Sequence, residues 1–267
     1  MNAKERLMVD LLTRGREAFG VASVKAEFEA EGTRPDELLR LVDVARAADL
    51  PITVKIGGCE AIRDLLEAKQ IGVNFIVAPM VESTYALSKF ASARDLVFDL
   101  EDQQDVDFLF NVETGLAFGS IVPLADVATG KGISGVVFGR VDFVGSLGLS
   151  RDDINHPDVL DSVVETARAC RERNLDLVVG GGVSIDALPF LNQVASTHLS
   201  RFETRKVVFS ASALDLPDIE AGLLNAVHFE LLWLQNKRDY YARITQEDAR
   251  RIQMLEDRWK VLGGGVR

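Results

Sequence analysis

The chain has 267 residues, 47% of them hydrophobic, and carries 41 acidic against 30 basic residues for a net charge of −11. An acid excess with no Lys/Arg cluster argues against a phosphate-tracking nucleic-acid surface, and no segment approaches the roughly 20 apolar residues of a membrane span. Cys59 and Cys170 lie far apart and outside any CxxC or Cys/His spacing, which argues against a disulfide framework or structural zinc and for a cytoplasmic protein with reduced thiols.

Met1 to Arg16 interleaves Lys4, Glu5, Arg6, Asp10 and Arg14 with Leu7, Met8, Leu11 and Leu12, the pattern of an amphipathic helix and not of a signal peptide. Short β-branched runs then alternate with longer amphipathic stretches. Strands are predicted at Val21–Phe28, Ile52–Ile56, Phe75–Ala78, Leu96–Leu100, Phe108–Val112, Gly135–Gly139, Leu177–Gly180 and Val207–Ser210. Helices are predicted at Pro35–Ala48, Cys59–Lys69, Ser83–Phe90, Leu116–Ala128, Pro157–Arg173 and Ile185–Val194. Pro35 suits a first helical turn, where its missing N–H would be unpaired anyway. Eight strands with intervening helices fit an α/β fold closed as a (β/α)8 TIM barrel better than an open doubly wound sheet, which stands as the alternative.

No Pro/Ser-rich divider interrupts the chain, so residues 1–267 read as one domain, with the barrel over about 20–212 and a helical extension over about 213–262. That extension is predicted as two helices, Asp218–Asp239 and Gln246–Leu262, the second opened by Thr245 with Asp248 three residues on. One helix covers the last strand, which leaves Ile252, Leu255 and Trp259 seeking a surface and predicts a subunit interface in a homo-oligomer.

In such a barrel the active site lies at the C-terminal ends of the strands. Two runs there each deliver one carboxylate: Phe110-Asn111-Val112-Glu113 and Phe138-Gly139-Arg140-Val141-Asp142. On neighbouring strands about 4.8 Å apart, Glu113 and Asp142 can converge on one hard divalent cation, with water and substrate filling its other positions. Two solvated loop acids are the alternative. Lys55 ends an apolar strand just before Gly57-Gly58, where its ammonium can neutralise a substrate carboxylate or, if desolvated, act as a Schiff-base amine. Gly180-Gly181-Gly182, at the end of the predicted seventh strand, either offers backbone N–H groups to an anion or lets the chain turn. Alternation puts Glu27, Glu29 and Glu31 on one face, aimed into the mouth. His156, His198 and His228 lie away from predicted strand ends and read as structural or solvated.

The segments Val54-Lys55-Ile56, Pro79-Met80-Val81-Glu82-Ser83, Glu113-Thr114 and Gly139-Arg140-Val141-Asp142, with Ser146-Leu147-Gly148, resemble the HpcH/HpaI aldolase and citrate lyase beta-subunit family of phosphoenolpyruvate/pyruvate-domain TIM barrels. The resemblance runs from about Val21 to Ser210. It implies that Glu113 and Asp142 are Mg²⁺ or Mn²⁺ carboxylates, and that the metal holds a 2-oxo acid such as pyruvate and stabilises its enolate while a carbon–carbon bond breaks or forms. It also implies that Lys55 and the backbone of Gly139, Arg140 and Val141 bind the substrate carboxylate, that Lys55 and Arg140 act in catalysis, and that the protein is a trimer or hexamer exchanging a post-barrel helix. The citrate lyase relatives imply a second reading, a lyase or synthase acting on a citrate-like or CoA-thioester substrate.

Three departures stand out. Lys55 replaces the family's usual arginine, the histidine after the first strand gives way to Glu29-Ala30-Glu31-Gly32, and the Arg-Gly-rich segment after the third helix is missing. They make Glu29 the candidate for the missing base and leave a non-catalytic binding or assembly member of the fold as the alternative.

Overall fold

The computed structural model describes residues 1–263. In chain order the elements are α1 (Ala3–Ala18), β1 (Val21–Glu27), α2 (Pro35–Ala47), β2 (Ile52–Lys55), α3 (Ile62–Ile71), β3 (Phe75–Ala78), α4 (Thr84–Val97), β4 (Asp107–Val112), α5 (Gly115–Phe118) and α6 (Ile121–Gly130). Then follow β5 (Gly135–Gly139), α7 (Arg140–Ser146), α8 (Pro157–Arg171), β6 (Asp176–Gly180), α9 (Leu188–Ala195), β7 (Arg201–Glu203), β8 (Val207–Ser210) and α10 (Ile219–Val261).

The strands close into a barrel in the order β1 to β8. The first seven run parallel, and β8 pairs antiparallel with both β7 and β1. The reversal follows from the connection: only Thr204, Arg205 and Lys206 separate β7 from β8, too few for a crossover helix but enough for a hairpin. Strand alternation sorts the side chains. Phe108, Phe110 and Val112 of β4 face the helices in the main core, whereas Val77, Leu109, Val137 and Val178, with Phe75 against them, fill the barrel interior. Burying a side chain of this size contributes about 1.5–3 kcal/mol, so the interior layer is a packed floor beneath the mouth.

Three expectations change. Leu96–Leu100 is not a strand: α4 continues to Val97, and its apolar end serves packing, with Phe98 edge-on to Phe108 at 5.1 Å between ring centroids. The strand that completes the count is β7, whose three residues carry charges at both ends and show no apolar run. The triple glycine therefore ends the sixth strand, not the seventh.

The two predicted C-terminal helices are one, α10, about 65 Å long at 1.5 Å per residue. Thr245 caps nothing; its hydroxyl donates to the Tyr241 carbonyl inside the helix. The first half of α10 packs along α1, with Asn225 bonded to the Leu11 carbonyl at 2.9 Å and Asn2 to Asn236 at 2.8 Å. From Ala242 on every described residue is exposed, including Ile252, Leu255, Trp259 and Leu262. Among the described residues no helix is long and apolar enough to cross a membrane.

Candidate active site

The C-terminal ends of the parallel strands open into a cavity of about 450 Å³, lined by residues from β1, β2, β4, β5, β6 and the β7–β8 hairpin. Glu113, just past β4, sits at its base and is 1% exposed. Burying a carboxylate is costly unless its oxygens are bonded. Here Oε1 accepts the Met80 backbone N–H at 2.8 Å, and Oε2 accepts from the Asn111 side-chain amide and from Lys55 Nζ at 3.3 Å. Met80 presents that N–H from a left-handed backbone, φ 48°, a conformation that costs a non-glycine residue about 1 kcal/mol or more. Gly139 leaves the room: a Cβ there would lie 3.0 Å from Glu113 Oε2.

Asp142 stands in the first turn of α7, at the rim, three residues beyond the end of β5. Partial desolvation, then the negative charge of Glu113, push its carboxyl above the ordinary aspartate value, and no hydrogen bond offsets them.

Lys55 Nζ lies 3.1 Å from Glu29 and 3.3 Å from Glu113. Burial pulls its amine down, but the carboxylates of Glu113 and Glu29 more than offset it and hold the amine above its ordinary value. Its two carboxylate neighbours favour the charge-neutralising role over the Schiff-base amine. Glu29 lines the cavity. Glu31 does not join it, because β1 ends at Glu27 and the chain turns at Gly32, φ 55°, pairing Glu31 with Lys206.

Arg140 departs most from expectation. Its side chain is fully buried and is not among the residues lining the mouth. As the first residue of α7 it turns beneath the end of β6, donating from Nε to the Gly180 carbonyl at 3.1 Å and from Nη1 to Asn155 Oδ1 at 2.6 Å. Its guanidinium carbon lies 4.8 Å from the Phe190 ring centroid. With no carboxylate beside it, desolvation lowers its pKa to about 10. Only the Arg140 backbone remains near the mouth, where the triple-glycine turn meets it: a Cβ on Gly181 would lie 2.8 Å from Arg140 N and 2.7 Å from Val141 N.

The mouth also holds residues beyond the sequence candidates, among them Lys25, Glu203 and Asn111. Lys25, on the inward face of β1, pairs with Glu27 at 3.0 Å and with Glu203 of β7, and these two acids hold its amine up against the opposing effect of burial. The polar alternation Ser23, Lys25, Glu27 was the available signal; Glu203 was hidden because β7 itself was not recognised. Asn111 lies two residues before Glu113 on the same face, and its Oδ1 is buried without a hydrogen-bond partner.

A sequence profile for the HpcH/HpaI aldolase/citrate lyase family matches residues 36–204, which include Lys55, Glu113 and Asp142. The chain belongs to this family. No curated protein matches it. An HpcH/HpaI aldolase from Desulfitobacterium hafniense superposes with a TM-score of 0.59 at 16% identity, covering 78% of this chain and 84% of its own. A family protein from Burkholderia cenocepacia gives 0.58 at 13% identity over 89% and 99% of the two chains. Macrophomate synthase gives 0.57 at 15% identity over 89% and 82%. At these identities the superpositions speak to the fold: a closed eight-stranded barrel.

The family is one of aldolases and lyases, so the donor set can be tested against a divalent cation. The mouth is lined by six carboxylates, Glu27, Glu29, Glu113, Asp142, Glu203 and Glu230, against four cations, Lys25, Lys55, Arg151 and Arg205. The excess of two negative charges equals the charge of one divalent ion. Among the described residues no group of three or more His, Cys, Asp or Glu side chains is arranged to hold a metal. Two hard oxygen donors with water and substrate completing the sphere is the pattern Mg²⁺ accepts, and Glu113 and Asp142 bring that donor type to one cavity.

Proposed function

We propose that the protein is a divalent-metal-dependent carbon–carbon lyase of the aldolase type, acting through the enolate of a 2-oxo acid such as pyruvate. The observation that carries this reading is the unequal pair of carboxylates in an over-acidic mouth: Glu113 bonded into place, and Asp142 with no side-chain hydrogen bond among the described residues. Glu113 and Asp142 would hold Mg²⁺ or Mn²⁺, which when bound supplies Lewis-acid polarisation of the keto group.

The chain's own residues supply the rest. The fixed ammonium of Lys55 faces the substrate's negative charge as it grows, and the backbone of Gly139, Arg140 and Val141 frames the substrate carboxylate. Glu29, 3.1 Å from Lys55 Nζ, takes the hydroxyl proton as the carbon–carbon bond breaks and its electron pair passes into the enolate, then delivers that proton to the enolate carbon; in the reverse direction it takes the proton from the methyl carbon of the 2-oxo acid. No histidine competes for that role: His198 bonds the Leu175 carbonyl at 2.9 Å, His156 caps α8 and His228 lies on α10. A homo-oligomer accords with the exposed Ile252, Leu255, Trp259 and Leu262 of α10.

The test is deuterium exchange into the methyl group of pyruvate, followed by NMR in D₂O with Mn²⁺ or Mg²⁺ supplied. Exchange that requires both the metal and Glu29 is the expected result. Exchange equal to that in protein-free solution would refute the reading.

A further inference from the structure

An arginine buried without an acid is an expensive feature, since desolvating a guanidinium costs several kcal/mol and no Coulombic partner returns it. Arg140 has this character, with Nη2 left without any hydrogen-bond partner among the described residues. Retaining such a residue calls for a use other than stability. Its contacts indicate which.

Three segments meet at the Arg140 side chain. Its own backbone opens α7, whose first turn carries Asp142. Nε holds the Gly180 carbonyl, which fixes the start of the triple-glycine turn, and Gly181, φ 80°, presses that turn against the N-terminal end of α7 so closely that a Cβ would collide with Arg140 N and Val141 N. Nη1 holds Asn155 in the short 3₁₀ segment Arg151–Asn155, and Ile154 of that segment packs on Gly182, where a Cβ would lie 2.6 Å from its Cδ1. The guanidinium is thus the common anchor of the elbow that bears Asp142 and the two loops beside it. Asp142 has no bond of its own to set its direction.

We infer that Arg140 is a positioning residue: from behind the barrel mouth it fixes the direction in which α7 presents Asp142 to the divalent cation. This rests on the reading of Glu113 and Asp142 as the cation site. It predicts a separation of stability from metal binding. An outer partner of a metal ligand typically accounts for roughly 10- to 100-fold in metal affinity, while an apolar side chain of similar length in place of an uncompensated buried cation is neutral or stabilising.

The experiment titrates the full-length wild-type protein, Arg140→Met and Asn155→Ala with Mn²⁺ by calorimetry, with thermal unfolding of the metal-free proteins alongside. Arg140→Met is expected to unfold at the wild-type temperature or above, yet to bind Mn²⁺ roughly 10- to 100-fold more weakly. Asn155→Ala, which cuts the clamp at its half-buried end, is expected to weaken binding in the same direction by less. A folded Arg140→Met with wild-type Mn²⁺ affinity would overturn the inference. Should Arg140→Met fail to fold, Asn155→Ala decides: weakened binding supports the clamp, and unchanged affinity overturns it. A wild-type protein that binds no Mn²⁺ would instead remove the cation site itself, a separate outcome.

Discussion

Two charged clusters of similar appearance lie in this molecule, and they differ in how fully their buried polar groups are answered. The first is the root of α10, a cavity of about 330 Å³ where Glu5 and Glu37, both buried, meet α1, α2 and α10. The second is the barrel mouth. At the root both buried acids are answered: Glu5 takes Arg40 at 2.6 Å, the Asn2 N–H at 2.7 Å and Asn236, while Glu37 takes Tyr241 at 2.6 Å, Lys237 at 2.9 Å and the Arg34 N–H. Burial pushes both carboxyls up, and these donors more than reverse it, so both end below the ordinary glutamate value. In the mouth Glu113 is bonded as fully, but Asp142 is raised and bare, and Asn111 Oδ1 has no partner. Size does not distinguish the two cavities. Buried bonding capacity left unmet does.

The largest break in that contrast is Lys55→Met. Lys55 is the ammonium shared by Glu29 and Glu113, and removing one partner of a buried ionic group leaves uncompensated charge, a loss of about 3–5 kcal/mol. Urea unfolding should register it, and pyruvate exchange should vanish. The matching change at the root, Lys237→Met, leaves Glu37 its bonds to Tyr241 and Arg34 and should cost only about 1 kcal/mol.

Asp142→Asn inverts the pattern. Metal affinity should fall roughly 10-fold or more while metal-free stability holds or rises, because the repulsion from Glu113 disappears. Glu37→Gln should do the opposite, destabilising by about 1–3 kcal/mol with Mn²⁺ affinity unchanged. Parallel unfolding curves and Mn²⁺ titrations read both.

The smallest effect is on pH. Glu5 and Glu37 are depressed in the folded state, so their contribution to stability is present at neutral pH and is lost as the pH falls below the ordinary glutamate range. Glu37→Gln should flatten the acid limb of the stability–pH curve. An unchanged acid limb would show that Glu37 is not held by its donors.

The fold was legible because barrels write themselves as repeated apolar runs. Seven of the strands carried such a run, and Phe75–Ala78 and Gly135–Gly139 coincide with the predicted bounds. The remaining errors share a cause, tertiary context overriding local pattern. Arg201–Glu203 is a strand because β6 and β8 flank it, not because its residues prefer one. Leu96-Val97-Phe98 has strand composition yet ends a helix. In the site, strand alternation accounts for Glu27 at the mouth; Glu29 and Glu31 both lie beyond the end of β1, and of these Glu29 lines the cavity while Glu31 pairs with Lys206. Arg140 was misdirected because sequence places a residue at an elbow without saying which way the side chain leaves it. Lys25 and Glu203 pair across the closure of the barrel, a contact that no local signal encodes.

Whether Glu113 and Asp142 form one divalent-cation site is read by a Mn²⁺ titration of the wild-type protein beside Glu113→Gln. One Mn²⁺ per chain is expected for the wild type and none for the variant, with its fold retained by circular dichroism. Equal Mn²⁺ binding by both proteins, or none by the wild type, would contradict it.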